Sequence, residues 1–211
     1  ARELSVNQVK AITRKIEELD IRGPKGNLVR IEVFCHGALC MAVSGKCYLS
    51  LDNFNTSANR GACVQTCRRA YTVQDRDKEI TLDIENEYIM SPKDLCTLPF
   101  LDKLLDAGVK VLKIEGRGRS PEYTKVTVGV YKEAVDAIRN GTFTQEKIEE
   151  WTQRLRSVYN RGFWDGYYLG QRLGEWSHNY GSKATHKKVY IGKCTNFFQK
   201  IFKVFYKIII N

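Results

Sequence analysis

The stretch "VKVLKIEGRGRSPEYTKVTVGVYKEAVDAIRNG", residues 109–141, holds both halves of a β/α unit. Residues 109–116 read as a short apolar strand. Ser120 and Pro121 then open a long helix, Pro being well suited to the first helical position. Val126, Val130, Ala134, Ala137 and Ile138 form its apolar stripe, and Asn140 and Gly141 end it.

Working outward, the same alternation recurs. Pro99 stands near the start of a helix carrying Leu101, Leu104 and Leu105, which stops at Gly108. "LVRIEVF" (28–34) reads as a strand ending at His36 and Gly37, and "EYIMS" (87–91) as another. Ser5 and Gln8 make a capping box ahead of Val9, Ile12, Ile16 and Leu19, which share one helical face. Gly23, Pro24 and Gly26 mark the turn that follows. Thr144 caps a further helix bearing Ile148, Trp151, Leu155 and Val158. Residues 48–87 are polar and irregular, apart from a hairpin expected at "AYTV" and "EITLDI".

Strands alternating with helices predict a parallel α/β architecture. In a (β/α) barrel the functional residues gather beyond the C-terminal strand ends. Here those ends carry His36, the "SPKDLC" turn (91–96) and Glu115. Three strands cannot close a barrel, and "ARELS" starts where a strand would end, so the chain reads as a fragment. The lysine-studded tail "FFQKIFKVFYKIIIN" reads as an interrupted β element, with an amphipathic surface segment as the alternative.

The chain of 211 residues is 43% hydrophobic and 27% charged, a globular composition. Its 34 Lys and Arg against 24 Asp and Glu leave a net charge of +10, which suits a polyanion such as RNA and equally describes a solvated cationic face. No signal peptide or membrane span is visible, and the expected compartment is the cytoplasm. Seven cysteines in a reducing compartment point to metal ligands or catalytic groups rather than disulfides. Neither CxxC pairs nor zinc-finger spacing is present. Four thiolates from separate loops can hold an iron–sulfur cluster, and the alternative is small buried hydrophobes.

Five segments together, "EVFCHGALCMAVSGKC", "NRGACVQTCR", "SPKDLC", "LKIEGRGRSPEY" and "NRGFWDGYYLG", resemble the collagenase-like peptidase family of unknown catalytic type (family U, number thirty-two). The likeness runs to about residue 201 and is strongest toward its tRNA 5-hydroxyuridine hydroxylation branch. It implies the C-terminal part of a (β/α) TIM-type barrel over 1–140, a helical and loop linker over 141–185, and the start of a small β-barrel domain over 186–211. It further implies RNA hydroxylation with a [4Fe–4S] cluster, a link to prephenate, and tRNA or other RNA as partner.

Carried over residue by residue, the resemblance implies Cys40, Cys47, Cys63 and Cys96 as ligands, with Cys67 as the substitute for Cys63, since either member of the "CVQTC" pair can ligate. Cys35 and Cys194 are expected to be structural. His36, Glu115 and Lys113 are catalytic candidates, His36 because its ordinary pKa near 6.5 suits proton transfer, with a buried, hydrogen-bonding histidine as the equal alternative. Lys113 and Glu115 equally fit a structural ion pair. Arg60, Arg68, Lys93, Arg117 and Arg119 are candidates for holding substrate, since guanidinium forks match phosphate oxygens. Lys93 and Asp94 also fit a role in stabilising the turn, and Glu3, after Arg2, is a further candidate. The aromatic run in "RGFWDGYYLG" fits packing or base stacking. The alternative function is peptide hydrolysis by a thiolate with His36 or another base; a third is binding of RNA or a partner without catalysis.

Overall fold

Ser5 sets the start of the first helix, α1 (Val6–Glu18), through the expected capping box. Its hydroxyl accepts from the Gln8 amide at 3.3 Å, and the Gln8 carboxamide accepts from the Ser5 amide at 2.9 Å. The computed structural model describes residues 2–75, 77, 80–82, 88–170, 175–187 and 189–190. From α1 the chain runs through β1 (Glu32–Gly37), α2 (Leu49–Phe54), β2 (Val73–Asp75), β3 (Ile80–Leu82), β4 (Asp94–Cys96), α3 (Leu101–Asp106), β5 (Val111–Ile114), α4 (Pro121–Arg139), α5 (Gln145–Ser157) and β6 (Phe163–Trp164).

The central sheet has the order β5-β1-β4-β6. β1 pairs with β5 in parallel, and β4 with β6 in parallel. The join between the two pairs is antiparallel, with His36 opposite Cys96 and Gly37 opposite Leu95. The class is thus α/β, but the sheet is mixed where a parallel one was expected. Neither a (β/α) barrel nor a small β-barrel is formed by the described residues. The expected hairpin is present, β2 and β3 pairing antiparallel with Val73 opposite Leu82.

Two strand boundaries differ from expectation. Leu28 bridges back to Arg22 across the turn, so β1 begins only at Glu32. Residues 88–91 contain a turn rather than a strand, and Glu87 lies outside the described residues. The strand forms at β4 instead, where the Asp94 amide donates to the Gly162 carbonyl at 3.0 Å and brings β6 alongside. Cys194 and the tail from 191 onward also lie outside the described residues, as do 188 and thus most of the expected 186–211 unit.

Packing keeps part of each predicted face on two helices, Val9 and Ile16 on α1 and Val130, Ala134 and Ala137 on α4, and shifts the rest. On α1 the buried side chains are Val9, Thr13 and Ile16, while Ile12 and Leu19 face solvent. Thr13 decides this: its hydroxyl donates to the Ala107 carbonyl at 2.6 Å, satisfying a buried acceptor at the end of α3. Gly108, at φ +86°, leaves the room, since an added Cβ would stand 3.1 Å from Thr13. On α4, Tyr123, Thr127, Val130, Tyr131, Ala134 and Ala137 are buried, whereas Val126 is only half-buried. That face meets Leu98, Leu101, Leu104, Trp151 and Leu155 in one core. Each of the three leucines from 98 to 104 contributes roughly 2 kcal/mol through its removal from water.

Strand ends are aligned by one glycine. Gly37 has φ +114°, and a Cβ there would fall 2.4 Å from the Glu115 carbonyl oxygen. Only glycine tolerates that approach. The Glu115 amide donates to the His36 carbonyl at 2.8 Å, so the ends of β1 and β5 lie side by side.

Candidate functional site

Beyond β1 the chain leaves regular structure and folds the cysteine segment around Ser50. The Ser50 side chain accepts from the Val64 amide at 3.2 Å, and its carbonyl accepts from the Thr56 amide at 3.2 Å. The Asn59 carboxamide reaches the Cys47 carbonyl at 3.5 Å. These bonds wrap residues 40–67 around a cleft of about 360 Å³ lined by Cys40, Cys47, Cys63 and Cys67. All six described cysteines are free thiols. Burial pushes the Cys67 thiol up; Arg68 opposes this, while the thiols of Cys40, Cys63 and Cys47 add to it. Cys67 therefore lies within electrostatic reach of the other three thiols.

Among the described residues, no three His, Cys, Asp or Glu side chains stand as the ligand set of a single metal ion. A four-iron cluster makes a different demand, because each iron takes its own thiolate and the ligands surround a larger body. A cleft lined by four free thiols fits that donor chemistry. Cys96 does not line this cleft. It is buried in the sheet opposite His36, with the Tyr131 hydroxyl 3.9 Å from its sulfur, and burial pushes its thiol up to about 11. Cys35 is fully buried, donates to the Lys113 carbonyl at 3.4 Å and is likewise pushed up by burial. It packs, as expected.

His36 is 2% exposed and enclosed by the rings of Tyr123, Tyr131 and Phe163, at 6.1, 5.5 and 5.5 Å. Its Nδ1 stands 3.4 Å from the Tyr131 hydroxyl, which itself donates to the Cys35 carbonyl at 2.8 Å. Burial pushes the imidazole down to about 3, so it is neutral at ordinary pH. The structure thus places His36 as a buried, hydrogen-bonded histidine shut off from the cleft.

The charged candidates divide by surroundings. Lys113 pairs with Glu32 at 3.2 Å and lies over the Phe34 ring, not against Glu115. Glu115 accepts from the Arg117 amide at 2.9 Å, and the Arg117 guanidinium reaches the Gly61 carbonyl at 3.3 Å, tying this turn to the cysteine segment. Arg60 is exposed beside Gly61. Lys93 pairs with Glu175 at 2.5 Å. Arg68 is buried; its guanidinium donates to the Leu39 carbonyl at 2.7 Å, to the Ser91 hydroxyl at 3.0 Å and to the Pro92 carbonyl. It clamps backbone in this structure rather than facing a ligand. Arg119 lies with its guanidinium carbon 3.7 Å from the Tyr159 ring centre.

Two contributors, Arg161 and Tyr131, were not apparent in the sequence, whereas Glu3 and the aromatic run were. Arg161 forms a buried pair with Asp94 at 3.2 Å, its amide also donating to that carboxylate at 3.1 Å. Tyr131 links Cys35, His36 and Cys96, and its place on the buried α4 stripe was the available signal. Glu3 accepts from the Ser44 amide and hydroxyl at 2.9 and 2.7 Å. Partial burial pushes its carboxyl up, but those bonds outweigh it and hold it below the usual range. Trp164 and Tyr168 in the aromatic run are buried, which is the packing alternative.

The model of peptidase family U32 matches residues 1–178. A protein named collagenase from Porphyromonas gingivalis is 61% identical over 201 residues, 95% of this chain and 49% of its own length. The tRNA hydroxylation protein P1 of Bacillus subtilis is 34% identical over 175 residues, 78% of this chain and 42% of that protein. A 23S rRNA 5-hydroxycytidine synthase of Escherichia coli is 40% identical over 138 residues, 65% of this chain and 19% of that protein. The chain spans about half the length of the first curated relatives it matches. No solved structure matches it.

Proposed function

Because the chain belongs to peptidase family U32, we propose that it is the cysteine-bearing part of an RNA-modifying enzyme that hydroxylates a tRNA uridine with a four-iron cluster. The observation that carries this reading is the cleft lined by Cys40, Cys47, Cys63 and Cys67. We take these four as the ligands, with Cys67 in place of the Cys96 that the resemblance implies, because Cys96 is buried outside the cleft. A bound cluster would supply single electrons there. The chain's own part is to hold four thiols around one space and to orient the polyanion. Arg68 fixes the cysteine segment to the turn before β4. Arg60 and Arg117 stand at the same segment with guanidinium groups suited to phosphate oxygens.

The peptidase reading draws on the 61% identity to a protein named collagenase. A cysteine peptidase needs a thiolate beside a base. Among the described residues no cysteine is hydrogen-bonded to a histidine, and burial keeps Cys35 and Cys96, the thiols nearest His36, protonated. Anaerobic purification of the full-length protein separates the readings. The cluster reading expects about four irons and four sulfides per chain, together with loss of 5-hydroxyuridine from the tRNA of cells lacking the gene. An iron-free protein that cleaves peptides, in cells whose tRNA nucleosides are unchanged by the deletion, would overturn it.

A further inference from the structure

We propose that the cleft between the 118–122 turn, the end of α5 and residues 182–187 binds a backbone phosphodiester of the RNA flanking the target nucleotide, with Arg119 and Lys187 as its cations. The proposal rests on the RNA-modifying reading above and adds a second place where the polynucleotide is held. The cleft encloses about 660 Å³ and shares no lining residue with the cysteine cleft. Its outer wall is built, not draped. The amides of Lys183, Thr185 and His186 donate to the carbonyls of Asn160, Arg156 and Ser157 at 2.6, 2.9 and 3.3 Å.

Arg119 is the centre of the case. Its guanidinium lies against Tyr159, and the Arg161 guanidinium lies 5.1 Å from the same ring while pairing with Asp94. Stacking uses the face of a guanidinium and leaves its edge N–H donors available. Among the described residues Arg119 forms neither an ion pair nor a side-chain hydrogen bond, so those donors face the cleft or water. Lys187 and His186 add a cation and a ring nitrogen from the opposite wall, and Ser182, whose oxygen accepts from the Ala184 amide at 3.0 Å, keeps its hydroxyl proton to donate; Ser157 gives its own to the Arg154 carbonyl at 2.7 Å. Glu122 is the one acid among the described lining residues and reduces the local positive charge without cancelling it. Ser120 already accepts from the Tyr123 amide at 3.3 Å, so the attraction comes from side chains and not from the helix end.

The chemistry selects a phosphodiester. Two cations and the hydroxyls of Ser120 and Ser182 suit a singly charged phosphate with its ribose neighbours. Contacts to phosphate carry no sequence information, so this contact is independent of sequence. The turn from 115 to 120 touches the cysteine segment through Arg117 and lines the new cleft through Arg119. One RNA strand crossing this turn would meet both.

The test is binding of a fluorescent, unmodified tRNA transcript to the full-length protein between about 50 and 200 mM salt. Arg119→Gln and Lys187→Ala should each lower the slope of log affinity against log salt by about 1 and weaken binding to unrelated RNA sequences alike. Iron content should stay at the wild-type value, and Lys187→Ala, at an exposed residue, guards against misfolding as the cause. The charge-matched pair Lys15→Ala and Lys132→Ala, on exposed helix faces, should leave the slope unchanged. A wild-type protein that binds tRNA while the cleft variants keep its slope would overturn the site and leave the RNA reading intact. An equal loss in the charge-matched control would overturn it as general attraction. A wild-type protein that does not bind tRNA would overturn both.

Discussion

At the scale of single residues, Arg68 shows how one buried cation holds the site together. It joins the backbone before Cys40 to the turn before β4 while following Cys67 directly in the chain. Lysine has the charge but not the fork, so Arg68→Lys cannot reach three acceptors at once. With buried acceptors left unpaired, that variant should lose roughly 2–3 kcal/mol, read as a lower urea midpoint, and should retain less iron. Unchanged stability and iron would remove Arg68 from the account. In the sequence, a clamp and a phosphate-binding arginine look the same. What distinguishes them is burial, a tertiary property. His36 teaches the same lesson, since three rings from distant parts of the chain, not its neighbours in sequence, make it neutral. The cysteines were legible as a group because thiols carry their own chemistry, but which four face one space is decided by the wrapping around Ser50.

At the scale of elements, α1, α3, α4, α5 and the β2–β3 hairpin were legible, whereas α2, in a stretch expected to be irregular, and the strands β4 and β6 were not. Ser5, Ser120 and Thr144 each accept from a first-turn amide, so the caps read from sequence are the caps observed. β4 and β6 have three and two residues, too few for a period of two to show. Their places are set by Asp94 and Arg161, which no local pattern links. The α4–α5 contact makes a pH prediction. Glu133 accepts from both Arg154 guanidinium nitrogens and, at 2.9 Å, from the Trp151 ring nitrogen. The Arg154 bonds hold its carboxyl below the ordinary value; slight burial opposes them, and the Trp151 bond reinforces them. A depressed folded pKa gives stability that is complete above the unfolded value near about 4.3 and is lost as pH falls through the folded one. Glu133→Gln should therefore melt below the wild type at neutral pH, with the gap closing as pH falls below about 4. Equal melting temperatures at neutral pH would show that the pair contributes nothing.

At the scale of the whole molecule, a mixed sheet sets two clefts on either side of the turn that follows β5. The α/β class followed from the strand, turn and helix of residues 109–141. The antiparallel join between β1 and β4 did not, because strand direction depends on partners far along the chain. The central claim is that the cluster ligands are the four thiols of the cysteine cleft. Its most direct test is the iron and acid-labile sulfide content of the anaerobically purified full-length protein carrying Cys67→Ala or Cys96→Ala. Cys67→Ala should lose the four-iron cluster while Cys96→Ala, which stays apolar in its buried site, keeps about four irons. A Cys67→Ala protein with a full complement of iron, beside an iron-free and folded Cys96→Ala protein, would contradict it.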